Sequence, residues 1–175
     1  MRAQITRMQI RKAVIADIPT IQQIAEETWR PTYSHILTEE QTLYMLDLMY
    51  AADVLQKQIE GTVEFFMVAV DDETIGYFAI EPQGDRHAKL HKIYLRPQQK
   101  TKGTGTAVIA YLKNWAITRG IETIELNVNK YNSAVSFYEK MGFERNREMI
   151  LDIGQGYIMD DYVMQLQLKS VQSNA

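Results

Sequence analysis

Between Leu90 and Val128 the chain reads strand, basic glycine loop, helix, strand, and that order leaves few ways to fold. Ile93, Tyr94 and Leu95 have the β-branched and aromatic character of a buried strand, and Pro97 removes a backbone donor and stops it. The loop Lys100, Thr101, Lys102, Gly103, Thr104, Gly105 runs into Val108, Ile109, Leu112, Trp115 and Ala116, the i, i+1, i+4, i+7, i+8 positions of one helical face. Arg119-Gly120 is a helix stop. Thr123 to Val128 then alternates as a second strand, with Ile124, Leu126 and Val128 on one face. Two strands joined through one helix lie parallel with a right-handed crossover, so the sheet contains at least one parallel pair.

The rest of the chain surrounds that unit. Met8 to Val14 alternates as a first strand. Asp17 is placed to cap a helix with Pro19 in its tolerant first turn and Ile21, Ile24, Ala25 and Thr28 inward; Pro31 is expected to end it. Thr38, with Gln41 behind it, opens a second, strongly apolar helical region through Met45 and Met49, and a short helix over about 51–60 follows. Strands are expected at Val63–Val70 and Thr74–Ile80 around an Asp71-Asp72-Glu73 turn, and at Ala88–Arg96 after a turn at 82–85. Asn132 to Gly142 reads as a helix, and Phe143–Ile153 with Tyr157–Leu168 as a closing hairpin. The fold class is mixed α/β: about seven strands, mostly antiparallel, with helices on both faces. One domain over 1–169 is expected, with a frayed tail at 170–175.

Composition removes several function classes. A net charge of −3 gives no global basic field for a nucleic acid. The chain has no cysteine, which excludes disulfides, thiolate nucleophiles and cysteine-based metal sites and suits a reducing cytoplasm. Three histidines (His35, His87, His91) lack the spaced partners of a zinc site, so no metal is expected. The N-terminus lacks the apolar core of a signal peptide, and no segment is long enough to span a membrane.

The loop from Lys100 to Gly105 offers consecutive N–H groups at a helix start, which suits a phosphate or pyrophosphate. Gly103 and Gly105 let an anion approach, and Lys100 and Lys102 add charge. Alone, the two glycines serve turn geometry equally well. The loop is neither a Walker A sequence nor a full Rossmann fingerprint, since position 108 is Val. Further on come Asn132, Ala134, Tyr138, Gly142 and Phe143 in the pattern Asn-x-Ala-x-x-x-Tyr-x-x-x-Gly-Phe. In these two motifs together the chain resembles the GNAT-type N-acetyltransferase superfamily, over about Phe65 to Leu168 and with a flavour of the bacterial spermidine/spermine N-acetyltransferases in Asp161 to Met164. Lys100 stands where Arg or Gln is usual; lysine holds a phosphate as a point charge rather than a fork.

The resemblance implies a fold in which the parallel central pair splays apart around acetyl-CoA. It places the pyrophosphate on the amides of Lys100, Thr101, Lys102, Gly103, Thr104 and Gly105, and the pantetheine arm along the strand of Ile93, Tyr94 and Leu95. It puts Asn132 beside the pantetheine, though a helix cap explains that residue as well. Tyr138 matches the general acid, a phenol of pKa ~10 facing a departing sulfur of pKa ~8.5; a core tyrosine is the competing reading. Relatives often carry a glutamate as base on one of two strands, where this chain has His91 and Asn127. His91 can act as base directly or through water, or be a sheet-face histidine, and a water chain without a dedicated base is a third route. Glu26, Glu27, Trp29, Tyr33, Asp160 and Asp161 are candidates for the acceptor end, against solvated acids on exposed faces.

The implied function is acetyl transfer from acetyl-CoA to a primary amine by direct attack in a ternary complex, with a small cationic amine as acceptor. An acetyltransferase for protein N-termini or lysines is one alternative; a non-catalytic acyl-CoA sensor is an alternative of another class. Partners are then a small-molecule or peptide amine, without nucleic acid or membrane, and a homodimer is allowed. The sequence fixes neither the acceptor nor the base nor the oligomeric state.

Overall fold

The computed structural model describes residues 7–97 and 103–168. Its elements run β1 (Met8–Lys12), α1 (Ile18–Tyr33), α2 (Glu39–Tyr50), α3 (Ala52–Glu60), β2 (Glu64–Val70), β3 (Glu73–Pro82), β4 (His87–Leu95), α4 (Thr104–Ile117), β5 (Thr123–Asn129), α5 (Ala134–Lys140), β6 (Glu144–Gly154) and β7 (Tyr157–Gln167). The strands form one sheet in the order β1-β2-β3-β4-β5-β7-β6. All neighbours are antiparallel except β4 and β5, which run parallel as expected.

Period-two alternation sends side chains to two cores. Phe66, Val68, Phe78, Ile80, Leu90, Ile124 and Leu126 pack with Val108, Ile109, Leu112 and Trp115 of α4 on one face. Phe65, Met67, Tyr77 and Ala79 pack with Ile21, Ile24 and Trp29 of α1, Met45 and Tyr50 of α2 and Leu55 of α3 on the other. Two tight hairpins fix the antiparallel registers. Asp71 and Asp72 (φ 49° and 66°) join β2 to β3, and Gln155 and Gly156 (φ 53° and 79°) join β6 to β7. Both central residues are left-handed in each, the turn whose twist matches that of paired strands.

Two expectations about α1 need correction. Pro31 does not end the helix, which continues to Tyr33. Trp29 and Tyr33 are buried, and Thr28 and Thr32 cover carbonyls of the preceding turn, Thr28 Oγ1 donating to the Ile24 oxygen at 2.7 Å and Thr32 Oγ1 to the Thr28 oxygen at 2.7 Å. Packing thus outweighs the missing Pro31 donor. Nor does Asp17 cap the first turn. Its carboxylate accepts from Arg11 Nη2 at 2.7 Å and from the Val14 amide at 2.8 Å, closing a short 3₁₀ turn ahead of the helix. Thr38 does cap α2, accepting from the Gln41 amide at 3.1 Å.

The feature that opens the sheet lies in β4. Its parallel pairing with β5 covers only His87↔Thr123 to Leu90↔Leu126. Against β3 the register slips just there: Ile80 pairs with Leu90 but Ala79 with Lys92, leaving His91 as the extra residue of a bulge. Beyond it β4 keeps β3 as its one partner while β5 continues beside β7 to Asn129↔Asp161.

Gly76 makes the β3–β4 approach possible. A Cβ there would sit 2.4 Å from the Tyr94 carbonyl oxygen and 2.5 Å from Leu95 Cδ2. Because the nearest obstacle is backbone, Gly76→Ala is expected to destabilise the protein by about 3 kcal/mol, read as a lower denaturant midpoint.

Candidate active site

Where β4 and β5 part, a cavity of about 750 Å³ opens between the two cores. Its walls come from β4 (90–95), the start of α4 (103–106), the end of β5 (126–129), Asn132 and Tyr138, with Trp29 and Tyr33 of α1, Tyr50 of α2 and Asp161 of β7. The departure of β5 leaves one side of the 91–95 backbone without a strand partner. An extended amide-bearing arm can take up those N–H and C=O groups as a further strand would. Ile93, Tyr94 and Leu95 occupy that stretch.

Gly103 caps α4 in the left-handed region (φ 91°) with open space where a side chain would be. Gly105 is needed for close packing: a Cβ there would meet Phe137 Cζ at 3.1 Å. Gly103, Thr104 and Gly105 therefore present the positive end of α4 to the cavity, as an anion site requires. Lys100, Thr101 and Lys102 lie outside the described residues.

Tyr138 is buried, its ring 5.5 Å from Phe137 and 5.6 Å from Phe143, and it lines the cavity. Burial, reinforced by the neighbouring Tyr33, pushes its phenol well above the usual range, so it stays protonated at every working pH. Asn132 spends its side-chain oxygen on the Ala134 amide at 2.9 Å, a local turn just ahead of α5 whose N-cap position is Ser133, while still lining the cavity. Burial also raises Tyr33, against the pull of Tyr94 and Asn132 beside it. Trp29 lies 4.8 Å from Tyr33 and 5.7 Å from Tyr50 between ring centroids, so an aromatic wall closes the α1–α2 side.

The acids divide sharply. Asp161 is 2% exposed and lines the cavity; burial first, then the Asp160 charge, raises its carboxyl to about 6 against Lys89 and Lys130. Glu27 lies outside the wall, on the exposed side of α1, accepting from Arg96 Nε at 2.7 Å and Gln23 Nε2 at 2.8 Å. Glu26 is exposed, and Asp160 is held by Lys130 at 2.7 Å. Among the described residues no group of three or more His, Asp or Glu side chains is arranged to hold a metal.

His91, the bulge residue, lines the cavity and its Nε2 lies 2.8 Å from Glu81 Oε2. Thr62 Oγ1 donates to the other Glu81 oxygen, and Thr62 first and His91 second hold that carboxyl below its ordinary range. A carboxylate thus reaches this position from β3, where sequence reasoning found none. The signal was present: across the turn Glu81 pairs with Lys89, which makes His91 its diagonal neighbour on the same face. Asn127 accepts instead from Lys89 Nζ. The adjacent Glu125 is no base either. Burial would raise it, but hydrogen bonds from Gln165, Lys89 and Arg147 outweigh that and hold it at about 2.

Comparison with known proteins fits this geometry. The model of the acetyltransferase (GNAT) family matches residues 19–143. A spermidine N(1)-acetyltransferase of Thermoplasma acidophilum is 28% identical over 143 residues, 78% of this chain and 88% of that protein. The crystal structure of the PaiA N-acetyltransferase from Thermoplasma acidophilum in complex with coenzyme A superposes with a TM-score of 0.77 at 26% identity, covering 92% of this chain and 99% of that one. The ribosomal-protein-S18-alanine N-acetyltransferase from Escherichia coli shares the fold with a TM-score of 0.72 at 18% identity, covering 97% and 99%.

Proposed function

The chain belongs to the GNAT acetyltransferase family, and from that premise we propose that it moves the acetyl group of acetyl-CoA to a primary amine by direct attack in a ternary complex. One observation carries the reading: the parting of β4 and β5 brings the start of α4, the unpaired backbone of 93–95, Tyr138 and His91 to one cavity. Acetyl-CoA supplies the activated acyl group as a thioester. The α4 N-terminus and its glycines suit the pyrophosphate, and the free side of β4 suits the pantetheine amides. The substrate ammonium first gives up one proton to become a nucleophilic amine. A new N–C bond then replaces the C–S bond, the nitrogen loses a second proton, and the departing sulfur gains one. With no cysteine in the chain, a thiol-linked acetyl-enzyme has no nucleophile.

His91 takes the amine's proton, directly or through water, and Glu81 is a positioning residue that holds the ring through Nε2, so that Nδ1 is the nitrogen left to accept a proton. His91→Gln is expected to remove the acidic limb of the kcat/KM profile, which Glu81→Gln keeps while lowering kcat about tenfold. An unaltered profile in His91→Gln would reject His91 as base. The acceptor is a small cationic amine, supported by the buried Asp161 carboxylate in the aromatic wall and by the likeness to a spermidine acetyltransferase. Thiol release across polyamines, amino acids, aminoglycosides and N-terminal peptides tests the whole reading, and silence on every amine would favour the sensor alternative.

A further inference from the structure

The cavity wall carries one cation, Lys92, that the reaction as described leaves unused. Lys92 is the only lysine or arginine, and Asp161 the only carboxylate, among the described residues that line it. Neither has a hydrogen-bonded counter-ion among the described residues. The Lys92 ammonium lies 4.7 Å from the centroid of the Tyr50 ring, and burial alone acts on it, lowering it to about 8. Asp161 feels Asp160, Lys89 and Lys130 as charges at a distance. An aliphatic side chain would cover Tyr50 as well at no desolvation cost, so an unpaired lysine here calls for something other than packing.

Its direction separates it from the pyrophosphate loop. Tyr50 belongs to α2 on the face covered by α1–α3, whereas α4 packs on the opposite face. Lys92 therefore looks into the acceptor half. Asp161 stands on β7, two strands from β4 across β5, so the two charges are anchored about 10 Å apart before the splay adds to it. A simple polycation satisfies Asp161 and is repelled by Lys92. A neutral amine satisfies neither.

The geometry points to an acceptor that bears an anionic group as well as its amines, of the diamino carboxylic acid class, with the carboxylate facing Lys92 and a cationic centre facing Asp161. Lys92 is then a specificity-determining residue. This rests on the acetyl-transfer reading and narrows its acceptor.

Matched acceptors differing by one carboxylate test it: ornithine against 1,4-diaminobutane, and lysine against 1,5-diaminopentane, with the full-length protein, acetyl-CoA and thiol release confirmed by product mass. The carboxylate-bearing member of each pair is expected to have the higher kcat/KM by about tenfold. Lys92→Met should erase or invert that ratio and Lys92→Arg should keep it; reading ratios within one variant cancels any loss of folded protein. A preference for the plain diamines in the unmodified protein, or a ratio unmoved in Lys92→Met, would overturn the acceptor class while leaving acetyl transfer intact. Absence of turnover on every amine, with acetyl-CoA still raising Tm, would overturn the acetyl-transfer reading and the acceptor class with it.

Discussion

Tyr138→Phe is expected to lower kcat by at least about a hundredfold while leaving acetyl-CoA affinity unchanged. The substitution removes one hydroxyl and keeps the ring that packs against Phe137 and Phe143, so stability should change little. The loss follows from where charge develops. As the thioester breaks, sulfur acquires negative charge in a buried site, where a donor is worth more than in water. The raised phenol makes complete transfer to a free thiolate uphill, so in the proposed reaction it would act by donating to the partial charge before the sulfur is free. Equilibrium binding of acetyl-CoA and pre-steady-state thiol release separate the two quantities. A variant that turns over normally would remove Tyr138 from the chemistry and make it a core residue.

Much of this site was legible in the sequence because it is built from contiguous stretches. The strand from Leu90, the glycines at 103 and 105 and the helix holding Tyr138 each carry a local signature, and the crossover rule puts them at one end of a parallel pair. What local pattern cannot supply is a partner from elsewhere in the chain. Glu27 reads as an acceptor acid until Arg96, at the end of β4, is seen to occupy it. Glu81 looks like any strand-end glutamate until the hairpin register brings it to His91. Pro31 reads as a helix stop because its local cost is visible and the packing of Trp29 and Tyr33 is not.

Asp161→Asn should make the protein more stable and a poorer catalyst. The folded carboxyl stands at about 6, above its ordinary value of ~3.9, so between those two values the folded state binds more protons than the unfolded one. Stability therefore falls as pH rises through that window, and above it the ionised group costs about 3 kcal/mol. An amide of the same shape removes the charge. The variant's Tm at pH 7 is expected to exceed that of the unmodified protein, with the difference vanishing near pH 4. Its KM for cationic acceptors should rise about tenfold with acetyl-CoA affinity untouched. A Tm difference independent of pH would show that Asp161 is not the strained group. Under the proposed function, that cost leaves a buried carboxylate for a cationic substrate to pair with.

The bulge at His91 also decides which residues meet the substrate at all, through a matter of parity. Before it, Ala88 and Leu90 face the α4 core; after it, Ile93 and Leu95 do, while Tyr94 turns to the α1 side. Even positions have traded places with odd ones. Were the same residues laid out in strict alternation with no bulge, Lys92 and Tyr94 would lie under α4 and Ile93 would point at the acceptor. The bulge lets two successive residues, His91 and Lys92, both serve the α1 side. The identity of the pocket wall depends on where β4 bulges as well as on which amino acids it contains. One extra residue in one strand thus gives the α1 side of the cavity a histidine and a lysine in succession, which a regular strand could not.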